Sequence, residues 1–208
     1  MKKRIIARID VKNEFVIKGI HLEGLRKVGD PNKLALKYYN EGIDEIIFMD
    51  AVAAYYDRNS LSNIIEMATK NIHVPITVGG GIRNLNDIQT ALNSGADKVS
   101  INTQAVKNPN FIYEAAHRFG SQCIIGSIEA KINDKNKWLV YYDNGREQTE
   151  IDVVEWAQQL EKLGAGELLI TSVDMEGTKK GFDIELNKTI SQKLTIPVIS
   201  SGGAGHSD

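Results

Sequence analysis

Gly42–Asp50 reads GIDEIIFMD, and Gly164–Ser172, 122 residues further on, reads GAGELLITS. The same offset carries Pro75–Ile82 (PITVGGGI) onto Pro197–Ala204 (PVISSGGA). Gly42 thus falls on Gly164, Glu45 on Glu167, Pro75 on Pro197, and Gly80-Gly81 on Gly202-Gly203. Each member is an apolar run of strand length, entered from a helix-ending glycine or a proline. Asp10 falls three short of this register on Glu129, at the end of the equivalent strand. A period this long is not a solenoid unit; it reads as two copies of a four-βα block.

Working outward, strands are predicted at 5–10, 45–50, 76–78, 98–101, 123–129, 167–171 and 196–200. Amphipathic helices are predicted at 31–41, 60–70, 85–94, 109–119, 153–163 and 184–193. Pro31 and Pro109 suit a first helical turn, and Gly42, Gly95, Gly120 and Gly164 suit left-handed helix ends. Only Ile132–Gly145 breaks the rhythm, with Trp138–Tyr142 reading as a small hairpin strand that covers the barrel. Strict alternation with near-continuous apolar strands means an α/β fold with a parallel sheet covered by helices. Two four-βα blocks predict a (β/α)8 TIM barrel with an internal two-fold half-barrel repeat, one domain over 1–208 with copies at about 1–120 and 121–208. Asp208 follows the seventh strand, so the expectation is a C-terminally incomplete barrel with seven strands present, lacking about 40–50 residues of a ~250-residue fold.

Composition narrows the function. Lys and Arg number 25 against 27 Asp and Glu, a net charge of −2, too balanced for nucleic-acid binding by bulk charge. One cysteine among 208 residues leaves no disulfide framework or multi-thiolate metal site. No apolar run reaches membrane-spanning length, and the basic start lacks a signal-peptide apolar stretch, so a cytoplasmic protein is expected. His21, His73, His117 and His206 have no ligand spacing, and Cys123 reads as core. No metal and no cofactor are expected.

In such barrels chemistry sits at the carboxyl ends of the strands. Asp10 and Glu129 are expected there on opposite sides of the mouth, a pair suited to giving and taking protons. The glycine turns Gly79-Gly80-Gly81 and Gly202-Gly203-Ala204-Gly205 allow close backbone approach, so their N–H groups can ring phosphates. Asn102-Thr103 and Gly177-Thr178 add donors, and two such sites favour a substrate with a phosphate at each end. Alternation sends Arg4, Ile6, Arg8 and Asp10 to one face. Arg4 is placed to pair with Glu45 or Glu167, with Lys98 completing a ring; on physics alone this is a charge plug or a gate.

These residues resemble the cyclase subunit of imidazole glycerol phosphate synthase. The likeness runs through Arg4–Lys12 (RIIARIDVK), Gly29–Pro31, Val78–Ile82 (VGGGI), Gly95–Thr103 (GADKVSINT), Gly120–Gln122, Gly164–Lys179 (GAGELLITSVDMEGTK) and Ser201–Gly205 (SGGAG). It implies a heterodimer with a glutaminase subunit whose ammonia enters at the barrel floor. At the top, ammonia meets a doubly phosphorylated phosphoribulosyl-formimino aminoimidazole carboxamide ribonucleotide. By resemblance Asp10 matches the first catalytic aspartate. Gly81, Asn102 and Thr103, with Gly80, match one phosphate site; Gly177, Ser201 and Gly203, with Gly202, match the other. Arg4, Glu45, Lys98 and Glu167 match the ammonia gate. Three departures stand out: Glu129 replaces the second aspartate, Arg8 replaces a small residue, and Glu176 replaces an aspartate. They resemble a divergent branch in which the barrel relays ammonia for amidination of a bacterial surface sugar. A phosphoribosyl-formimino isomerase and a non-catalytic scaffold are the remaining alternatives.

Overall fold

The computed structural model describes residues 3–53 and 61–205. It is an α/β chain of two compact units, Met1–Lys18 with Arg26–Ser100, and Gly19–Leu25 with Ile101–Asp208.

In the first unit, β1 (Ile6–Lys12) pairs in parallel with β4 (Glu45–Asp50), β4 with β5 (Ile76–Gly79), and β5 with β6 (Lys98–Ile101). The sequence reading did not foresee that β1 outruns Asp10 and turns back antiparallel as β2 (Phe15–Ile20), with Val11 opposite Val16 and Lys12 opposite Phe15. The arm β3 (Glu23–Gly29) follows. β3 is almost wholly exposed, and β2 buries the adjacent residues Val16 and Ile17 rather than an alternating set, so neither arm shows the period-two pattern of a strand with one buried face. Asn13 makes the turn at φ 56°, a left-handed conformation that asparagine tolerates well. The helices are α1 (Pro31–Asn40), α2 (Ser62–Ala68) and α3 (Leu85–Asn93). Asp30 caps α1 by accepting from the Lys33 N–H at 2.8 Å, and Asn84 with Asp87 forms a reciprocal capping box on α3. Such caps satisfy otherwise orphaned N–H groups and contribute about 1 kcal/mol each.

In the second unit a short α4 (Thr103–Lys107), absent from the sequence reading, precedes α5 (Asn110–Phe119). Pro109 is the cap rather than a residue inside α5. Strand β7 (Ile124–Ile132) pairs in parallel with β10 (Glu167–Ser172), and β10 with β11 (Val198–Ser201). The polar break is a two-strand excursion rather than a single strand: β8 (Trp138–Tyr142) pairs antiparallel with β7, and β9 (Glu147–Asp152) with β8. Asp152 caps α6 (Val153–Lys162), and Asp183 caps α7 (Ile184–Ser191). Cys123, expected in the core at a strand start, is half-buried in a 3-10 turn over Ser121–Cys123. The core of this unit is built from Ile124, Ile125, Ile128, Trp156, Leu160, Leu168 and Ile170, each 1% exposed or less.

Elements recur in the two units at the sequence offset. β4, β5 and α1 in the first have the lengths of β10, β11 and α6 in the second, and the cap Asp30 corresponds to Asp152.

Candidate active site

Register places one face of the first unit's sheet. Asp10 pairs with Met49, Met49 with Gly79, and Gly79 with Ser100. One step below, Arg8 pairs with Ile47, Ile47 with Thr77, and Thr77 with Lys98. Paired residues on neighbouring strands share a face, and alternate residues along a strand share it too. Arg8, Asp10, Glu45, Thr77, Lys98 and Ser100 therefore lie on a single face.

Asp10 is 8% exposed. Its Oδ1 accepts from Arg8 Nε at 2.8 Å and its Oδ2 from Lys18 Nζ at 3.2 Å. Burial pushes the Asp10 carboxyl up, but the charges and hydrogen bonds of Arg8 and Lys18 outweigh it, so the group titrates below the usual carboxylate range. It is an ionised, doubly tethered carboxylate. Lys18 arrives on β2 and escaped the sequence reading because that hairpin did. An asparagine turn between two β-type runs was the available signal.

Below it, Glu45 is 4% exposed and forms ion pairs with Arg4 and with Lys98, the latter at 3.2 Å. Three of the four expected floor residues are thus brought together in one unit; the fourth, Glu167, opens β10 in the other. On the same face, the hydroxyls of Thr77, in the row of Arg8 and Lys98, and of Ser100, in the row of Asp10, are buried without a hydrogen-bond partner. Polar groups so placed are uncommon, and sequence alone gave no hint of them. The turn after β5 has Gly80 at φ 85° and Gly81 at φ 73°. A side chain on Gly80 would strike the Asp50 carbonyl.

In the second unit, Glu129 is 9% exposed, and its Oε2 accepts from the Gly145 N–H at 2.7 Å. It does not end its strand, as expected, but sits where β7 passes from parallel pairing with β10, opposite Thr171, to antiparallel pairing with β8, opposite Tyr141. Asp10 likewise stands one residue before β1 meets β2. The turn holding Gly145 lies against Leu22 and Val173. His21 from the β2–β3 tip packs there too, its Nδ1 3.0 Å from the Val173 carbonyl and its N–H donating to the Glu176 carbonyl at 2.9 Å. Sequence reasoning gave His21 no role.

The remaining residues fall in the second unit. Gly202 and Gly203 turn at φ 94° and 96°; a side chain on Gly202 would strike the Ser172 carbonyl, the counterpart of Asp50 at the sequence offset. The Gly203 carbonyl accepts from Gly181 N–H at 2.8 Å. Ser201 ends β11 opposite Thr171, and Gly177 (φ 75°) abuts the Gly19 carbonyl. Asn102 Nδ2 donates to the Tyr141 carbonyl at 3.4 Å, and Thr103 Oγ1 accepts from Asp143 N–H at 3.2 Å. The Thr178 hydroxyl, expected as a donor to ligand, donates instead to the Met175 carbonyl at 2.7 Å. Glu176 is buried at 6% exposure. His206 lies outside the described residues. Among the described residues no group of three or more His, Cys, Asp or Glu side chains is placed to hold a metal ion, and no helix is long and apolar enough to cross a membrane.

Comparison with known proteins gives the arrangement its relatives. A Legionella pneumophila protein named imidazole glycerol phosphate synthase subunit HisF is 57% identical over 202 residues, 97% of this chain and 95% of that protein. Proteins of the same name from Hydrogenobaculum sp. and Bacillus cereus are 50% and 48% identical over all 208 residues, covering 82% of each relative. The model of the histidine biosynthesis protein family matches residues 4–208. With Asp10, the Glu45 cluster and both glycine turns inside the matched span, the chain belongs to the histidine biosynthesis protein family.

Proposed function

We propose that this chain is the cyclase subunit of an imidazole glycerol phosphate synthase. It is an enzyme that combines ammonia with phosphoribulosyl-formimino aminoimidazole carboxamide ribonucleotide, yielding imidazole glycerol phosphate and aminoimidazole carboxamide ribonucleotide. The observation that carries this reading is the face holding an ionised Asp10 above the Arg4–Glu45–Lys98 cluster, with two unpartnered hydroxyls on the same face, one level with Asp10 and one with Lys98. Ammonia is small, uncharged and both donates and accepts hydrogen bonds, so the hydroxyls of Thr77 and Ser100 suit its passage. The charged cluster, with Glu167 as fourth member, is the gate at which a glutaminase partner delivers it.

At the upper end Asp10, held as a carboxylate, takes a proton as ammonia adds and the imidazole ring closes. Glu129 is its counterpart and gives a proton to the departing group. The glycine turns at Gly80-Gly81 and Gly202-Gly203 supply N–H donors to the two substrate phosphates. Asn102 and Thr103 join the first set, Gly177 and Ser201 the second. The fold that serves this is a TIM barrel built from two half-barrel copies, at about 1–120 and 121–208.

The test is formation of imidazole glycerol phosphate from the ribonucleotide, with ammonium salts at alkaline pH and then with glutamine plus a glutaminase subunit. Product under both conditions supports the reading. A folded protein that forms none, yet supports amidination of a surface sugar, would establish the second reading. The observation favouring that reading is the Arg8 guanidinium against Asp10, together with glutamate at position 129.

A further inference from the structure

Resting on the reading of Asp10 as the proton-accepting group, we propose that Arg8 is a positioning residue that fixes both the orientation and the charge of the Asp10 carboxylate. Arg8 stands two residues before Asp10 on β1 and on the same face; its side chain is 12% exposed and that of Asp10 10%. The Nε–Oδ1 contact of 2.8 Å comes from the stem side of a planar guanidinium, so it sets the plane of the group against the carboxylate rather than only its distance. Lys18 holds the other oxygen at 3.2 Å, but its side chain is 49% exposed and reaches across from the hairpin. Of the two tethers, Arg8 is the rigid, buried one, and Lys18 is the one that an entering ligand can displace.

A purely structural role explains this poorly. A buried ion pair adds little to stability compared with an apolar pair of similar volume, and the neighbours of Arg8 in its row include Ile47 and Thr77, which need no cation. Other charges on the packed elements have partners of their own. Glu45 of β4 holds Arg4 and Lys98, and Asp50 of β4 accepts from the Val52 N–H. Lys33 and Lys37 of α1 are exposed. Among the described residues, the charges acting on Asp10 are those of Arg8 and Lys18.

The experiment compares Arg8→Ala and Arg8→Lys with the unaltered chain. The first readout is the titration of the Asp10 carboxyl by carbon-13 NMR, assigned with Asp10→Asn. The second is the pH profile of ammonia-dependent turnover. Arg8→Ala is expected to raise the Asp10 titration midpoint, move the acid limb upward by about one pH unit, and lower kcat about 10- to 100-fold with KM little changed. Arg8→Lys keeps the charge without the planar fork, so it should restore the acid limb but only part of kcat. An Asp10 titration and acid limb that stay in place in Arg8→Ala overturn the proposal. If Arg8→Ala does not fold, Arg8→Lys with fully normal kcat overturns it instead. Full activity in Asp10→Asn strikes the reading of Asp10 itself, and the NMR titration still decides whether Arg8 governs that carboxyl.

Discussion

Asp10 and Glu129 occupy matching places in their own units, each at the point where a parallel strand departs into an antiparallel hairpin, yet they are held by different chemistry. Asp10 is gripped by two side-chain cations, whereas the contacts of Glu129 include the backbone N–H of Gly145 at 2.7 Å. The longer glutamate side chain reaches the turn of its hairpin, whereas the shorter aspartate is met by residues of its own strand and the next. A cationic grip makes one carboxylate answer to charge and pH. The Gly145 N–H ties the other to the shape of a turn as well.

The largest effect expected is on turnover. Asp10→Asn and Glu129→Gln should each lower ammonia-dependent product formation by ~100-fold or more, measured beside circular dichroism to show an intact fold. A wild-type rate for either one would dissolve the pairing of the two groups.

The glycine turns test whether the two units are alike in backbone as well as in side chains. Gly80→Ala and Gly202→Ala each force a side chain into a left-handed conformation and against the carbonyl of Asp50 or Ser172. Each should cost about 1–3 kcal/mol of unfolding free energy in urea titrations, and the two costs should be similar. Unequal costs would mean that the turns only look equivalent.

Acid stability sharpens the contrast at Asp10. Its folded-state pKa is lowered, so its contribution to stability is complete above the unfolded value of about 3.9 and disappears as pH falls through the lower folded value. Asp10→Asn should therefore flatten the stability loss below about pH 4 when unfolding is followed at pH 6 and pH 3. A slope identical to that of the unaltered chain would contradict the ionised, tethered state.

The smallest effect concerns the helix-to-strand corners. Tyr39 meets His73 edge-on, with ring centroids 6.1 Å apart; at the sequence offset, Glu161 accepts from the Thr195 hydroxyl and N–H, both at 2.7 Å, and from the Ile196 N–H at 3.1 Å. The Thr195 hydroxyl is the main reason the Glu161 carboxyl lies below its ordinary range. Glu161→Gln should cost about 1 kcal/mol, with the loss vanishing as pH falls through the Glu161 titration. Tyr39→Leu should cost about as much, with a loss that does not follow the Glu161 titration. Thermal unfolding across pH 3 to 7 distinguishes the two corners.

The parallel strands could be read from sequence because both their faces are buried, leaving apolar runs such as Ile46-Ile47-Phe48 and Leu168-Leu169-Ile170 that nothing else explains. The first hairpin could not, since β3 is exposed at nearly every residue, and of the second only the strand Trp138–Tyr142 was read. The first hairpin concealed Lys18 and the second concealed Gly145, each a direct partner of a candidate catalytic carboxylate. The turn at Asp143-Asn144-Gly145, with φ of 55°, 58° and 76°, carried an Asn-Gly signal that marks a hairpin. Arg8 beside Asp10 was legible, because two-residue spacing on a strand fixes a shared face. The unpartnered hydroxyls of Thr77 and Ser100 were not, because threonine and serine in a strand usually find partners.

The matching lengths of α1 and α6, of β4 and β10, and of β5 and β11 bear on where this chain can accept insertions and deletions. One residue gained or lost inside a buried strand reverses every side chain beyond it, so these stretches can change in composition but not in length. The hairpin turns and the exposed arm β3 are under no such restraint. Asp10 and the helix cap Asp30 are 20 residues apart, whereas Glu129 and the cap Asp152 are 23 apart. The units differ in length on the arms that follow the two carboxylates, where loops can be lengthened to fit another substrate while the frame beneath them stays in register.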